Sequence, residues 1–284
     1  MIGGIWDLLV SRHPVVTAYV FVLGACIGSF ANACAYRIPR EIGLSDERSF
    51  CPLCGARIRW SHNIPICSWL WLRGRCADCG GRISVLYPIV ELLGGVLFAA
   101  LYARHGLPLA SAYWVLTGML LIGMRTDIEW QIIPDRVTLG GFAAGVAFSA
   151  VLPGLHGADD ALAGVKAAVI GGAVCAASLY LVAWLGTRML KKEAMGLGDV
   201  KLMLCFGAFL GWQGGVFSAM AGSVLGAVLG VGCLWVSGRK WGTFMAIPFG
   251  PPLMLGAWIW MLGGREGWNA YLSDAEALSF LLAP

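Results

Sequence analysis

The stretch EAMGLGDVK, residues 193–201, places three charged side chains and two glycines between two long apolar runs. The chain around it is 58% hydrophobic and only 13% charged, and its mean hydropathy is +0.75. Soluble globular domains are far less apolar, so this composition argues against a soluble enzyme or binding module and indicates an integral membrane protein. In such a protein, a short polar stretch of this kind connects two membrane-spanning helices.

Apolar runs separated by charged or Gly/Pro-rich clusters predict an all-α polytopic membrane protein, because a helix needs about 20 mostly apolar residues to cross the hydrocarbon core. Eight transmembrane helices are predicted, near residues 14–35, 84–103, 108–126, 137–154, 161–187, 201–212, 214–236 and 244–263. Three glycines, at positions 207, 211 and 214, interrupt the sixth run, which can also form a hairpin with the seventh. Glycines elsewhere in the spans are interpreted as helix-packing positions.

The basic residues indicate which connections face the cytoplasm. Eight spans place segments 36–83, 127–135, 188–200 and 237–243 on one side, and sixteen of the 20 Lys and Arg residues lie in these segments or within two residues of them. By the positive-inside rule that side is cytoplasmic. The opening segment lacks a basic start and a small-residue cleavage site, so it is interpreted as a retained first span and not as a signal peptide. Both termini are then expected on the outer face, where the tail can lie along the membrane as a short amphipathic helix.

Four of the ten cysteines form two Cys-x-x-Cys pairs, CPLC and CADC. The pairs comprise Cys51, Cys54, Cys76 and Cys79, with twenty-one residues between them. Two such pairs at this spacing are typical of a closed, four-thiolate structural zinc site, which would fold a loop too small to build its own core. Disulfides and a redox Cys-x-x-Cys are the alternatives, but disulfides are rare in the cytoplasm and a redox motif would explain only one pair.

Two acids lie at predicted span ends on the cytoplasmic side. Asp127 opens the sequence DIEWQIIPD at the end of the third span, and Asp199 follows MGLG at the start of the sixth. Ionisable residues at membrane depth are costly and usually serve function. Two carboxyl groups a few ångströms apart cannot both ionise, so such a pair can act as base and acid together on an attacking water. The pattern predicts aspartic proteolysis without a covalent intermediate.

Each acid also has a simpler interpretation. Asp199 can cap the following helix, and Asp127 can merely end the third span. Taken alone, GxGD is a weak pattern, and Gly196 and Gly198 would let the backbone come close to an extended substrate or adopt conformations that are closed to other residues. The matched depth of the two acids, in a chain with so few charges, favours the catalytic interpretation.

Several longer motifs resemble those of the prepilin peptidases, also called type IV prepilin leader peptidase/N-methyltransferases, which belong to the GxGD aspartic proteases. The resemblance covers nearly the whole chain, in the family's order. Its motifs are GSFANACAYRIPR, CPLC, IRWSHNIPICSWLWLRGRC, CADC, YPIVELL, DIEWQIIPD, EAMGLGDVKL and IPFGPPL.

The resemblance implies roles for particular residues. Asp127 and Asp199 match the family's catalytic aspartates, and the zinc ligands match Cys51, Cys54, Cys76 and Cys79. Supporting positions are Gly196, Gly198, Lys201 and Asp135, the last being the acid of the family's Pro-Asp pair. The family cleaves the basic leader of prepilins and pseudopilins at the cytoplasmic face, in type IV pilus and type II secretion systems.

Many members then methylate the new N-terminal residue with S-adenosylmethionine. No glycine-rich strand-turn-helix fingerprint for this methyl donor is present, so methyl transfer is implied by the resemblance alone, chiefly through the cysteine loop. The sequence departs from the family where Arg82 lies five residues before Tyr87, and it leaves Glu91 as the candidate for the donor site. Candidate anions for holding the basic leader are Glu41, Asp46, Glu47, Glu129 and Glu193.

The expected organisation has four parts: a first span (1–35), a zinc loop associated with methyl transfer (36–83), a membrane peptidase core (84–263) and an outer-face tail (264–284). The expected location is the bacterial inner membrane, with no nucleic-acid partner; the oligomeric state and the particular prepilins stay open. A proton-coupled transporter, with Asp127 and Asp199 as a proton relay, is the alternative, but it predicts acids near the bilayer midplane and repeated spans. A membrane scaffold with a zinc docking loop would leave the two acids without a role.

Overall fold

A computed structural model of the chain describes residues 13–44, 48–192, 195–237 and 248–281. In these residues the regular structure is helical, and extended pairing is limited to two isolated bridges, Phe50–Arg57 and Arg75–Arg82. Five helical segments among them are long and apolar enough to cross a membrane: Pro14–Arg40, Leu86–His105, Leu109–Trp130, Ala161–Leu190 and Leu197–Cys233. The prediction of an all-α polytopic membrane protein is confirmed.

The long helices expose apolar side chains that a soluble protein would bury. Val15 is 70% exposed, Val182 is 60% exposed and Val224 is 65% exposed. Such surfaces are stable against lipid, because a helix satisfies its own backbone hydrogen bonds and presents only hydrocarbon to the bilayer.

The chain divides into two compact units, the first ending at Gly145 and the second beginning at Val146. The first unit contains α1 (Pro14–Arg37), the short α2 (Cys67–Trp71), α3 (Leu86–His105) and α4 (Leu109–Trp130). The next helix, α5 (Asp135–Val151), contains the boundary between the units. The second unit contains α6 (Ala161–Leu190), α7 (Leu197–Ser237), α8 (Gly250–Ile259) and α9 (Arg265–Leu281).

Glycines bring the helices of the first unit together. An added Cβ at Gly28 of α1 would lie 2.6 Å from the Val90 carbonyl oxygen of α3, and one at Gly24 would overlap the Gly94 carbonyl. Trp114 of α4 then stacks on Phe98 of α3 with ring centroids 5.6 Å apart. Close backbone approach of this kind is the usual way for membrane helices to gain dispersion energy where no water drives them together.

Glycines also allow close packing of α6 against α7 in the second unit. An added Cβ at Gly207 of α7 would overlap the backbone of Gly171 of α6, and one at Gly171 would lie 2.6 Å from the Gly207 carbonyl oxygen. Further along, Gly256 of α8 leaves no room for a Cβ beside the Ser218 carbonyl oxygen, 2.5 Å away. The interpretation of the intramembrane glycines as packing positions fits these contacts.

Replacing Gly207 with Ala is expected to destabilise the second unit by about 3 kcal/mol, near the upper end of ordinary overpacking, because the clash is with backbone that cannot rotate away. Gly232 is also a helical glycine of α7, with nothing within 4 Å of an added Cβ, so Gly232→Ala is the matched control. Thermal unfolding in detergent measures both changes. Equal melting temperatures for the two variants would show that α6 and α7 are not packed through this pair.

A half-buried histidine in the connection after α5 joins α5 to α7. The Nε2 atom of His156 lies 2.9 Å from Ser149 Oγ and 3.1 Å from the Ala208 carbonyl oxygen. Since a carbonyl only accepts hydrogen bonds, Nε2 carries the proton of the neutral ring. Burial lowers the pKa of His156, the hydrogen bond to Ala208 partly opposes this, and the charge of Arg265 adds to the lowering.

Acidification is therefore expected to weaken the second unit through His156. The unfolded chain takes up the imidazole proton below a pH of about 6.5, before the folded protein does, so stability is complete above that pH and falls as the pH decreases toward the lowered folded-state pKa. His156→Gln keeps a donor for Ala208 but cannot titrate. Melting temperatures between neutral and mildly acidic pH should fall in the wild type and change less in the variant; parallel curves would refute this role.

Five described segments have the length and apolarity of a membrane span, fewer than the eight predicted. The segment α7 covers the predicted spans 201–212 and 214–236 and consists of two helices that meet at a kink at Gly211, with φ of 72° and ψ of 173°, so the predicted separation of these two runs fits the structure. The fourth predicted span corresponds to α5, which has 17 residues, at the lower end of the length that crosses a bilayer. The eighth begins outside the described residues, and its described part, α8, has 10 residues before a π-helical turn at Trp260–Gly264.

Candidate functional site

The first unit carries a cluster of four cysteines, Cys51, Cys54, Cys76 and Cys79, called here the cysteine cluster. All four are free thiols, and their sulfur atoms lie within 4.8 Å of one another. The Cys51 and Cys79 sulfurs are 4.0 Å apart. A tetrahedral zinc ion with Zn–S bonds of about 2.3 Å holds its sulfurs about 3.8 Å apart, so the cluster fits such an ion. The four thiols predicted from spacing are brought together.

The two halves of the cysteine cluster have the same local structure. In the first, the Cys51 N–H donates to the Ala56 carbonyl at 2.9 Å, and in the second, the Cys76 N–H donates to the Gly81 carbonyl at 2.8 Å. Each half turns at a glycine just after its second cysteine, Gly55 with φ of 71° and Gly80 with φ of 69°. Only glycine adopts this conformation without strain, so the sequence Cys-x-x-Cys-Gly builds each half of the cage locally.

The environment of the thiols favours a bound cation. Burial alone would raise the pKa of Cys51, but hydrogen bonds from the backbone at Cys54 and Leu53 and from neighbouring thiols lower it to about 7. A backbone hydrogen bond at Ala56 lowers the pKa of Cys54, yet desolvation and the neighbouring thiols of Cys79 and Cys51 raise it to about 11. A divalent cation removes this mutual repulsion and deprotonates its thiol ligands.

Asp127 occupies the last turn of α4. Its side chain is buried, with 6% exposure, and the Gln131 N–H donates to its carbonyl oxygen at 2.9 Å as the helix ends. Asp135, the predicted supporting acid, is exposed in the first turn of α5. A carboxyl group buried at the end of a membrane helix is costly and so indicates a functional role. The two acids therefore differ in burial, and the catalytic role of Asp127 and the supporting role of Asp135 stay predictions.

Asp199 lies in the first turn of α7 and is half-buried. The helix begins at Leu197, so Asp199 is inside the first turn and not at the capping position that the simpler interpretation assumed. A carboxylate there is stabilised by the N-terminal end of the helix. Gly198 belongs to the same turn. Neither Gly196 nor Gly198 has a positive φ, so glycine is not needed at these positions for a left-handed backbone conformation. Lys201 follows on the same helix.

A buried polar network that sequence reasoning missed fixes the end of α4. The Arg125 guanidinium donates through Nε to Asn32 Oδ1 at 3.1 Å and through Nη2 to Glu129. Asn32 in turn donates to the Tyr87 carbonyl oxygen at 3.1 Å, so α1, α3 and α4 are joined two residues before Asp127. The signal was present, because Asn32 is a polar residue inside an otherwise apolar span.

The candidate anions for leader binding have different surroundings. Glu41 is exposed, and Glu129 is paired with Arg125. Asp46, Glu47 and Glu193 lie outside the described residues, as do Arg239 and Lys240 of the predicted cytoplasmic side. Leader binding by any of these acids stays a prediction.

Glu91 lines a cavity in the first unit. The cavity has a volume of about 360 Å³ and lies beside the cysteine cluster, with Cys51 and Cys76 in its wall. Glu91 is only 7% exposed, and its Oε2 accepts the Ile66 N–H at 2.7 Å. A partly apolar cavity of this size with a few fixed polar groups is typical of a small-molecule site.

Two family models match successive parts of the chain. Residues 22–105 match the bacterial peptidase A24 N-terminal domain, and residues 114–231 match the type IV leader peptidase family. No solved structure matches the chain.

Three similar curated proteins carry the name prepilin leader peptidase/N-methyltransferase. The protein from Pseudomonas putida is 36% identical over 97% of this chain and 99% of its own length, and that from Aeromonas hydrophila is 34% identical over 90% and 93%. The protein from Myxococcus xanthus is 37% identical over 80% of this chain, but the match spans 65% of that relative's length. With identity of this level over nearly its full length, the chain belongs to the type IV leader peptidase family.

Proposed function

We propose that this protein is a membrane aspartic endopeptidase that removes the leader peptide of type IV prepilins or pseudopilins and then methylates the new N-terminal amine. The observation that carries the proposal is the family membership, because relatives named prepilin leader peptidase/N-methyltransferase align over nearly the entire chain. The buried carboxyl group of Asp127 at a helix end supports the proteolytic half. The transporter alternative has no such support.

In the proposed cleavage, Asp127 and Asp199 act as one unit on a shared water. The ionised carboxylate takes a proton from the water, whose oxygen adds to the scissile carbonyl carbon, while the protonated carboxyl group donates its proton to the carbonyl oxygen. The tetrahedral intermediate then breaks the C–N bond, the leaving amine takes up a proton, and the leader departs with a new carboxyl group. Gly196, Gly198 and Lys201 are proposed to support Asp199, and Asp135 to support Asp127.

The proposed membrane arrangement suits this substrate. A prepilin has a basic leader followed by an apolar helix, so its scissile bond lies near the cytoplasmic interface. Asp127 ends α4 and Asp199 begins α7, so each is at the end of a long apolar helix. With the basic connections facing the cytoplasm of the bacterial inner membrane, both acids would lie at the interface, where water is available.

The second proposed activity uses S-adenosylmethionine as methyl donor. Bound near the substrate, the donor would supply a methyl group carried on positively charged sulfur for transfer to the new terminal amine. The residues present fit such a donor, since the first unit has a cavity of about 360 Å³ lined by a buried carboxyl group and aromatic rings.

The cysteine cluster is proposed to hold a structural zinc ion. Four thiolates leave no open coordination position, so the metal would fold the loop and take no part in chemistry. The proposed organisation is a first span (1–35), the zinc loop associated with methyl transfer (36–83), the peptidase core (84–263) and the tail (264–284).

A two-substrate assay tests the proposal. Purified protein in detergent receives either an intact prepilin or a prepilin already cleaved by other means, each with S-adenosylmethionine. We expect the wild type to cleave the first and methylate both, and Asp127→Asn to methylate only the pre-cleaved substrate. Loss of methylation of the pre-cleaved substrate in a folded Asp127→Asn variant would show that the activities are not separate, and no methylation by the wild type would remove the second activity from the proposal.

A further inference from the structure

We propose that the cavity beside the cysteine cluster, called here the donor cavity, binds S-adenosylmethionine with the Glu91 carboxylate facing the positive charge of the ligand. This inference rests on the proposed methyltransferase function and adds where the donor binds and which group recognises its charge. The donor cavity lies entirely within the first unit.

The walls of the donor cavity come from three parts of the unit. Ser29 and Ala33 contribute from α1, Tyr87 and Glu91 from α3, and residues around the cysteine cluster complete it. Aromatic rings in the wall offer stacking surface for a nucleoside base, and they belong to Tyr36, Phe50, Trp69 and Tyr87. The site therefore combines apolar area with few polar groups, as small-molecule sites do.

Glu91 is a buried acid without a cationic partner. Its carboxyl group is 7% exposed, and no Lys or Arg in the described part of the chain forms an ion pair with it. Burying a carboxylate costs free energy unless a cation compensates its charge, and its hydrogen bonds with the Ile66 N–H and the Ser29 side chain bring no positive charge. A positively charged ligand in the donor cavity would supply the missing cation.

The partner of Glu91 is held in a strained conformation. Ile66 has φ of 62° and ψ of −53°, and the Cys67 N–H donates to the Pro65 carbonyl at 2.6 Å across it, which makes a γ-turn of the rare, positive-φ kind. This backbone conformation is sterically strained for a β-branched residue. Strained conformations persist where the surrounding structure holds them, and they are frequent at binding sites. The hydrogen bond from Ile66 to Glu91 fixes the turn at the wall of the donor cavity and orients the carboxylate.

Arg82 and the aromatic rings of the donor cavity complement other parts of S-adenosylmethionine. Arg82 is exposed and lines the donor cavity, where its guanidinium can pair with a carboxylate. Trp69 is held in place, since its Nε1 donates to the Ile83 carbonyl at 3.2 Å and its ring lies against Gly74. A nucleoside with an amino-acid tail and a positive sulfur has one complementary group for each of these features: rings for the base, Glu91 for the cation and Arg82 for the carboxylate.

Equilibrium binding tests the inference without any reaction. Isothermal titration measures the affinity of the full-length protein in detergent for S-adenosylmethionine and for S-adenosylhomocysteine, which lacks the charge on sulfur. Glu91→Gln should weaken S-adenosylmethionine binding by about tenfold or more, because it removes one partner of a buried charge pair but keeps an oxygen for the Ile66 N–H. A matched acid-to-amide change at exposed Asp159, in the second unit, should leave affinity unchanged.

A comparison of the two ligands shows which positive group of S-adenosylmethionine the Glu91 carboxylate contacts. A larger loss for S-adenosylmethionine than for S-adenosylhomocysteine places Glu91 at the sulfur, whereas equal losses place it at the α-ammonium group that both ligands share; both results support the inference. Ala33→Phe should fill the donor cavity and weaken both ligands. Unchanged affinity for S-adenosylmethionine in Glu91→Gln and in Ala33→Phe would overturn the proposed site.

Control measurements distinguish a loss of donor binding from a loss of folding. Each variant must keep the zinc content and the leader cleavage of the wild type, since Asp127 and Asp199 do not line the donor cavity. If the wild type methylates a pre-cleaved prepilin while both variants bind the donor normally, only this inference fails. If the wild type neither methylates nor binds the donor, the proposed methyltransferase function fails with it.

Discussion

Replacing either Asp127 or Asp199 with Asn is expected to reduce leader cleavage by about 10²- to 10⁴-fold, the range that a positioned general acid or base contributes. Asparagine keeps the size of the side chain but can neither take a proton from water nor release one to the carbonyl oxygen. Because the two acids act as one unit, the double variant should be about as slow as the slower single variant and not slower by the product of the two effects. Initial rates of prepilin cleavage in detergent measure this.

The control for these variants is Asp159→Asn, which changes an exposed acid before α6 and should cleave at the wild-type rate. Melting temperature and zinc content verify that the Asn variants are folded. Multiplicative losses in the double variant would show that the acids serve independent steps, and wild-type rates in either single variant would remove that residue from the catalytic pair.

Replacing Cys51 with Ser is expected to abolish stoichiometric zinc binding and to unfold the loop of residues 48–85. Zinc supplies about 10–16 kcal/mol to the folding of small four-ligand peptides, far more than this loop can gain from its own core. Cys51 and Cys76 also form part of the wall of the donor cavity, so donor binding and methylation should be lost with the loop. Leader cleavage should fall less, since Asp127 and Asp199 lie outside this segment.

Metal analysis and limited proteolysis of the loop measure both effects. Cys67→Ser is the matched control, because Cys67 is an exposed thiol of the same loop outside the cysteine cluster. Removal of zinc from the wild type by a chelator should reproduce the Cys51→Ser result. A Cys51→Ser protein with one tightly bound zinc ion and a protease-resistant loop would contradict the proposed site.

Local patterns predicted the parts of this protein that depend on neighbouring residues. The cysteine cluster is an example, because each Cys-x-x-Cys-Gly segment forms its turn from a few consecutive residues, and the spacing then leaves the two turns free to meet. The helical class followed from apolar runs for the same reason, since a membrane helix satisfies its backbone internally.

Features that join distant residues were not predictable in this way. Asn32 and Arg125 are 93 residues apart, and Glu91 meets Ile66 across 25 residues, so neither contact has a local pattern. Glu91 was singled out through family resemblance, but its hydrogen bond to a strained turn was not. The break at Gly211 was predictable from the glycines that interrupt the sixth apolar run. The number of spans was not, because a short helix such as α5, with 17 residues, lies at the lower limit of the length that crosses a bilayer.

The most direct test of the central claim is the intact mass of the products formed from a purified prepilin by the wild type and by the Asp127→Asn/Asp199→Asn variant, with and without S-adenosylmethionine. We predict that the wild type gives two fragments whose masses sum to the prepilin plus one water, that the mature fragment gains one methyl group only when the donor is present, and that the variant leaves the prepilin intact. Equal fragment yields from the variant, or no cleavage by the wild type, would contradict the assignment of this chain as an aspartic prepilin peptidase acting through Asp127 and Asp199.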